Sequence, residues 1–414
     1  MSKQSSAFIF TLVLCAALIG AGPVLAQAPA AAPAAPASTA VALPAPALVP
    51  VLSKFSLTIY GYVKLDASYD TSRASGGDLA FYVMPREAGE KDDEFNFTAR
   101  ETRLGLELKC PEYGDTRVSG KIEADFYGKG GDANTPVPRL RLGFVDIANN
   151  GWLVRAGQDW ETFITAIPKI DNFAYLADAG ALGLRRPQLR VQKEFNISDD
   201  SKVVAKVAAA RTIGQDLDGG GQDDGADASF PTAQYNLTYE SKLFAAKTAK
   251  IGVSGHFGRE TMDTVVDNQV VGSDDKDYDT WSVIGSVVLP VTEWAAVQGS
   301  IWKGENLDTY YGGIGQGVNT KLDTSIGAIG GWGQLVFDVT KDLNWNIGYG
   351  IDDPEDEDLN DKDRSKNQIL FSSVYYKLLP PVTLIFEYSY MKTDYKASDD
   401  EADNRFQGSV MYTF

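Results

Sequence analysis

Histidine is almost missing from this 414-residue chain, which has only His256, and cysteine is nearly as scarce, with Cys15 and Cys110 alone. So few soft ligands exclude a Cys/His metal constellation, and no metal or other cofactor is expected. Cys15 falls in the N-terminal apolar segment, which leaves one thiol in the remainder and no intramolecular disulfide. Long apolar runs are also missing: beyond the first 28 residues no window approaches 18 uninterrupted apolar residues, so no membrane helix is expected. Basic charge is in deficit, 38 Lys and Arg against 56 Asp and Glu. The net charge of −18 argues against nucleic acid as a partner, because phosphate contacts need surplus cations. What is abundant is glycine (40), tyrosine (19) and phenylalanine (19), without helical periodicity, and this points to an all-β chain.

The opening "MSKQSSAFIFTLVLCAALIGAGPVLAQA" has a Lys3 n-region, a short apolar core and small residues at Ala26 and Ala28. It reads as a secretory signal peptide over 1–28, cleaved near Ala26 or Ala28, being too short in its apolar run to span a bilayer as a helix. Residues 29–53, rich in Ala and Pro, read as an extended periplasmic spacer. Residues 54–414 are expected to form the folded domain.

That domain alternates with period 2. "FSLTIYGYVKLDASY" places Leu57, Ile59, Val63 and Leu65 on one face, and "TARETRLGLELK" and "TRVSGKIEADFYG" alternate likewise. Similar runs continue to "RFQGSVMYTF", giving sixteen in all, each near the ten residues that a tilted strand needs to cross a bilayer. Short turns such as 148–151, 290–291 and 340–342 interleave strictly with eight long loops. The expectation is a 16-stranded antiparallel transmembrane β-barrel, both termini on the short-turn side. Trp152, Trp294 and Trp345 follow short turns, whereas Trp160, Trp281 and Trp302 adjoin long loops, as two interfacial belts would require; Trp332 fits neither. An ordinary β core filled with aromatics is the competing reading.

Most long loops are acidic, as in 214–229, 272–279, 352–363 and 398–404, and read as solvated surface or as divalent-ion bridges to lipopolysaccharide. The third, "ETFITAIPKIDNFAYLADAGALGLRRP" (161–187), is apolar and is expected to fold inward and narrow the pore, carrying Asp171 and Asp178. Ten of fifteen arginines lie between 100 and 211. On the lipid face each would cost ~2–4 kcal/mol at the midplane, so the charged parity should face the lumen. Arg103, Arg117, Lys121, Arg139, Arg141, Arg155, Arg185, Arg186 and Arg190 are the candidate pore-lining cations, favouring anions. The bland alternative is that Arg103, Arg117 and Arg141 brace the wall against Glu101, Glu123 and Asp125. Catalysis has little support, since a hydrolase would need His256 beside a serine nucleophile.

The segments "YGYVKLDASYD", "ARETRLGLEL", "RLRLGFVDI", "VRAGQDWETF" and "RRPQLRVQ" resemble Gram-negative outer-membrane porins, most of all the DcaP-like trimeric porins. Gly157, Gln158 and Trp160 match the strand end before the inward loop, and Arg186, Pro187, Gln188, Leu189 and Arg190 match the segment that closes it. The resemblance implies homotrimers in the outer membrane, passage of small hydrophilic solutes with anions such as dicarboxylates preferred, and no enzymatic activity. It also implies that Tyr412 and Phe414 form the tag read by the outer-membrane assembly machinery. The chain departs from the family in lacking heptads before the barrel, which leaves trimerisation through that extension unsupported. A structural or adhesive surface barrel, with the acidic loops as its working part, is the alternative from another class.

Overall fold

The computed structural model describes residues 55–414 except 87–91, 218–222, 245–246, 263–264, 267–268 and 271–275. The signal and spacer readings therefore lie outside the described residues, as do parts of the acidic loops at 214–229 and 272–279.

The alternating segments form one closed antiparallel sheet of sixteen staves. They are β1 (Ser56–Asp70), β2 (Glu94–Thr98 continued by Arg103–Lys109), β3 (Arg117–Asp125), β4 (Arg139–Asn149), β5 (Trp152–Trp160), β6 (Arg185–Asn196), β7 (Ser201–Ala210) and β8 (Thr232–Phe244). The second half comprises β9 (Lys247–Met262), β10 (Lys276–Pro290), β11 (Ala295–Glu305), β12 (Gly327–Asp338), β13 (Leu343–Pro354), β14 (Arg364–Leu379), β15 (Val382–Tyr395) and β16 (Glu401–Thr413). The two pieces of β2 pair with successive parts of β1, so they are one stave interrupted at 99–102. Each stave pairs with its chain neighbours, and β16 returns to β1 with Val410 opposite Leu65, which removes both sheet edges.

The alternation sorts the faces as the sequence requires. Leu57, Ile59, Val63 and Leu65 are exposed on the outside, as are Phe406, Val410, Tyr412 and Phe414, while Arg405 and Gln407 are buried inside. An outward apolar surface is stable only against lipid, so the barrel spans a membrane. Trp152, Trp294 and Trp345 stand exposed near the short turns, as a belt should. The long-loop belt is corrected in part: Trp302 is buried and donates from Nε1 to the Gly180 carbonyl at 2.8 Å, and Trp160 lines the lumen, while Trp281, between the buried Thr280 and Ser282, keeps the outward parity. Trp302 follows the ordinary alternation, since Ile301 beside it is exposed, and finds the loop carbonyl there; Trp160 departs from the outward parity of Trp152 and Val154 and lines the cavity with Ile167 and Pro168 of the third loop.

One local departure from alternation matters for the lumen. Glu123 pairs with Leu142 and Ala124 with Leu140, so Arg141 is the extra residue of a β-bulge. Arg139 and Arg141 both reach inward because of it, and beyond it the parity reverses so that Asp146 faces Arg155 across the strand pair.

Candidate functional site

The third loop (161–184) folds into the barrel, and it does not enter alone. Ile170, Leu176 and Ala179 pack with Ala74, Ala80 and Val83 of the first loop against Trp332, Ile369, Phe371 and Met391 on β12, β14 and β15. Phe163 and Leu182 pack with Leu307 and Tyr310 of the sixth loop against Ile284, Trp302 and Ala328. The apolar residues of these loops thus find a core inside the barrel rather than facing water.

Glycines make the seat. On β13, a Cβ at Gly350 would lie 2.1 Å from the Ala179 carbonyl oxygen. At Gly180, held at φ +108, a Cβ would lie 2.1 Å from the Gly331 oxygen on β12. Only bare backbone at Gly180 and Gly350 allows loop and wall to approach so closely.

Because the plug leans on β10–β15, open lumen remains along β1–β6. A cavity of about 620 Å³ has Lys64, Arg103, Lys121 and Arg141 on the wall side and Ile167, Asp171 and Tyr175 on the loop side. A second cavity, about 70 Å³, is lined by Arg139, Arg185, Phe173 and Tyr311. The two share Trp160, Ile167, Pro168 and Tyr175 as lining, so they meet across the third loop.

The basic wall is largely neutralised by carboxylates. Arg139 pairs with Asp125 at 2.7 Å, and Arg141 with Glu123 at 2.8 Å and Asp125 at 2.9 Å. Arg155 donates to Asp146 at 2.6 Å and also reaches Asp159, which takes Arg190 at 3.1 Å. Arg103 is looser, 3.7 Å from Glu123 and 5.0 Å from the Tyr62 ring centroid, with two buried nitrogens lacking partners. Lys121 lies 4.7 Å over the Tyr60 ring and Arg185 4.7 Å over the Trp160 ring. Among the described residues neither has a carboxylate within ion-pair distance.

Two candidates are found away from the open lumen. Arg186 is 1% exposed, bonded to Glu161 and stacked 4.0 Å from the Tyr310 ring, inside the plug. Arg117 is exposed at the short-turn end of β3, away from the others.

The loop is tethered by polar contacts as well. Asp171 meets Lys64 at 2.9 Å and accepts from the Ser409 hydroxyl at 2.6 Å; its backbone N–H and that of Asn172 donate to Glu387. Asp178 points from the loop toward the wall and the sixth loop, not into the pore. It is 6% exposed, and one carboxylate oxygen lacks a hydrogen-bond partner. Burial, opposed by Arg364 and reinforced by Asp308, pushes its pKa up to about 7.

His256 does stand beside a serine, with Nδ1 2.7 Å from Ser282 Oγ. Its other nitrogen meets Thr280 rather than a carboxylate, and Phe163 and Tyr310 cover the ring. His256 and Ser282 are each 2% exposed, so no substrate carbonyl can reach them as the pair stands. The arrangement is that of hydrogen-bonded packing.

Sequence reasoning missed Lys64, which three carboxylates surround, and Lys169, which donates to Asn344 at 2.6 Å from the third loop. It also missed the inward course of the first and sixth loops. Their apolar stretches "LAFYVM" and "YYGGIG" carried the same signal that identified the third.

No family model and no curated protein sequence matches the chain. Solved structures do. The outer membrane channel DcaP of Acinetobacter baumannii is 21% identical with a TM-score of 0.68, over 87% of this chain and 97% of that one. An anion-selective porin from Comamonas acidovorans is 13% identical with a TM-score of 0.56, over 87% and 100%. OmpT of Vibrio cholerae in its trimer form is 13% identical with a TM-score of 0.53, over 87% and 99%. The chain has the fold of the sixteen-stranded outer-membrane porins.

Proposed function

We propose that the chain is a passive diffusion channel of an outer membrane, open to small hydrophilic solutes and favouring anions. The observation that carries the preference is Arg185, which is 9% exposed and has no carboxylate partner among the described residues. Its neighbours along the wall are neutralised, so Arg185 is the cation for which a passing anion can supply the missing countercharge. Arg103 and Lys121 add to it. Of the three arginines expected to brace the wall, Arg141 takes that part, joined by Arg139 and Arg155. Carboxylates and phosphate-like solutes fit a guanidinium fork. The porin fold supports a homotrimer joined through the barrel walls, surrounded by lipid and lipopolysaccharide.

Purified protein in planar bilayers tests the reading. Wild type should conduct, with a reversal potential in asymmetric KCl on the anion side. A unit charge contributes about 1 kcal/mol beside such a path, so Arg185→Gln should lower the anion-to-cation permeability ratio about fivefold. Absence of ion flux, or a cation-selective wild type, would refute the proposal.

A further inference from the structure

Five residues beyond Arg185 on β6, roughly 17 Å along the strand toward the short turns, lies a second group of cations. Arg190 and Lys206 face the lumen, since their neighbours Leu189 and Val207 are exposed on the outside. Arg190 stands directly opposite Arg155 in the β5–β6 register, an arrangement of like charges that destabilises a sheet unless something compensates. Asp159 serves both guanidiniums, and Asp146 is taken by Arg155. Three cations therefore face two carboxylates.

The surplus is not satisfied within the protein. Arg190 is 8% exposed, and its buried Nε lacks a hydrogen-bond partner. Lys206 has the neutral Gln192 and Asn236 as register neighbours, and no ion pair or hydrogen bond reaches it among the described residues. The next lysine, Lys250, is already held by Glu240 at 3.1 Å. A buried N–H left open beside an unpaired ammonium is a site waiting for an acceptor, and an oxyanion offers both charge and lone pairs.

We propose that Arg190 and Lys206 form a second anion-binding station on the short-turn side of the constriction, taking a carboxylate or phosphate group that has passed Arg185. The station rests on the channel reading above. Two separated weak sites suit conduction, because each holds an anion long enough to draw it in and the next draws it onward.

Inorganic phosphate is the probe, added to the full-length channel in planar bilayers while chloride conductance is followed. Wild type should show saturable inhibition by phosphate. Lys206→Gln should raise the half-inhibitory concentration about 3- to 10-fold, as expected for one lost charge–oxyanion contact. It should keep an anion-side reversal potential in KCl alone, because Arg185 remains. Among the described residues Lys206 holds no partner, so its replacement should leave assembly intact; Lys206→Glu should act more strongly in the same direction. Unchanged phosphate inhibition in both variants, or none in wild type, would overturn the station. A wild type without anion preference in KCl alone would instead overturn the reading beneath it.

Discussion

Replacing Gly350 by alanine should push the third loop off its seat. The added methyl would lie 2.1 Å from the Ala179 carbonyl oxygen and 3.2 Å from a Leu176 methyl. Restoring an ordinary contact of about 3.4 Å takes a displacement of about 1.3 Å, and the obstacle is backbone, which cannot rotate away. On the loop's far side is the 620 Å³ cavity beside Arg103 and Arg141, so the displacement narrows the open lumen. It also strains the bonds from Trp302 to the Gly180 carbonyl (2.8 Å) and from Asn367 to the Asp178 carbonyl (2.7 Å). Overpacking of this kind costs about 1–3 kcal/mol. Gly333, two positions beyond Gly331 on β12, is the matched control, because a Cβ there meets nothing within 4 Å. Single-channel conductance and thermal unfolding in detergent should both fall for Gly350→Ala and stay at wild-type values for Gly333→Ala. Equal conductance and equal unfolding in the two variants would refute the glycine seat.

Asp178 makes the loop pH-dependent. Its pKa is raised by burial to about 7, so its contribution to loop stability is fully present below the ordinary carboxylate range. That contribution is lost as pH rises toward about 7, and is at most about 4 kcal/mol. Protection factors across residues 172–180, with exchange corrected for its intrinsic base catalysis, should therefore fall between pH 4 and 7 in wild type, and Asp178→Asn should flatten that profile; identical profiles would contradict the assignment. Phe414 exchanges both backbone hydrogen bonds with Gly61, at 3.1 and 3.2 Å, at the seam where the barrel closes. Deleting it should reduce the amount of folded barrel inserted while leaving the conductance of assembled channels unchanged, and normal insertion would count against an assembly role for Tyr412 and Phe414.

Much of the barrel was legible because the period of a strand is a local property. Leu57, Ile59, Val63 and Leu65 had to share a face whatever the partner strand, and sixteen such runs with alternating short and long connections leave few other closures. The inward third loop followed from its apolar composition. The lumen was less legible, since charge there depends on which carboxylate stands across the strand pair, and register is not written in any one segment. Counting arginines between 100 and 211 found the basic wall, yet most of those cations are paired, with Asp78, Glu123, Asp125, Asp146, Asp159, Glu161 or Asp223.

The sequence by itself determined the strand number, the direction of each side chain in the unbroken strands, the closing role of "RFQGSVMYTF" and the inward third loop. These rest on alternation and hydrophobic burial, which neighbouring residues suffice to specify. Only the tertiary structure decided that Arg141 occupies a bulge, that Trp160 turns away from lipid, and that bare backbone at Gly180 and Gly350 seats the loop. It alone separated Arg185 and Lys206 from the braced arginines, because whether a buried cation is free depends on groups brought together from distant parts of the chain.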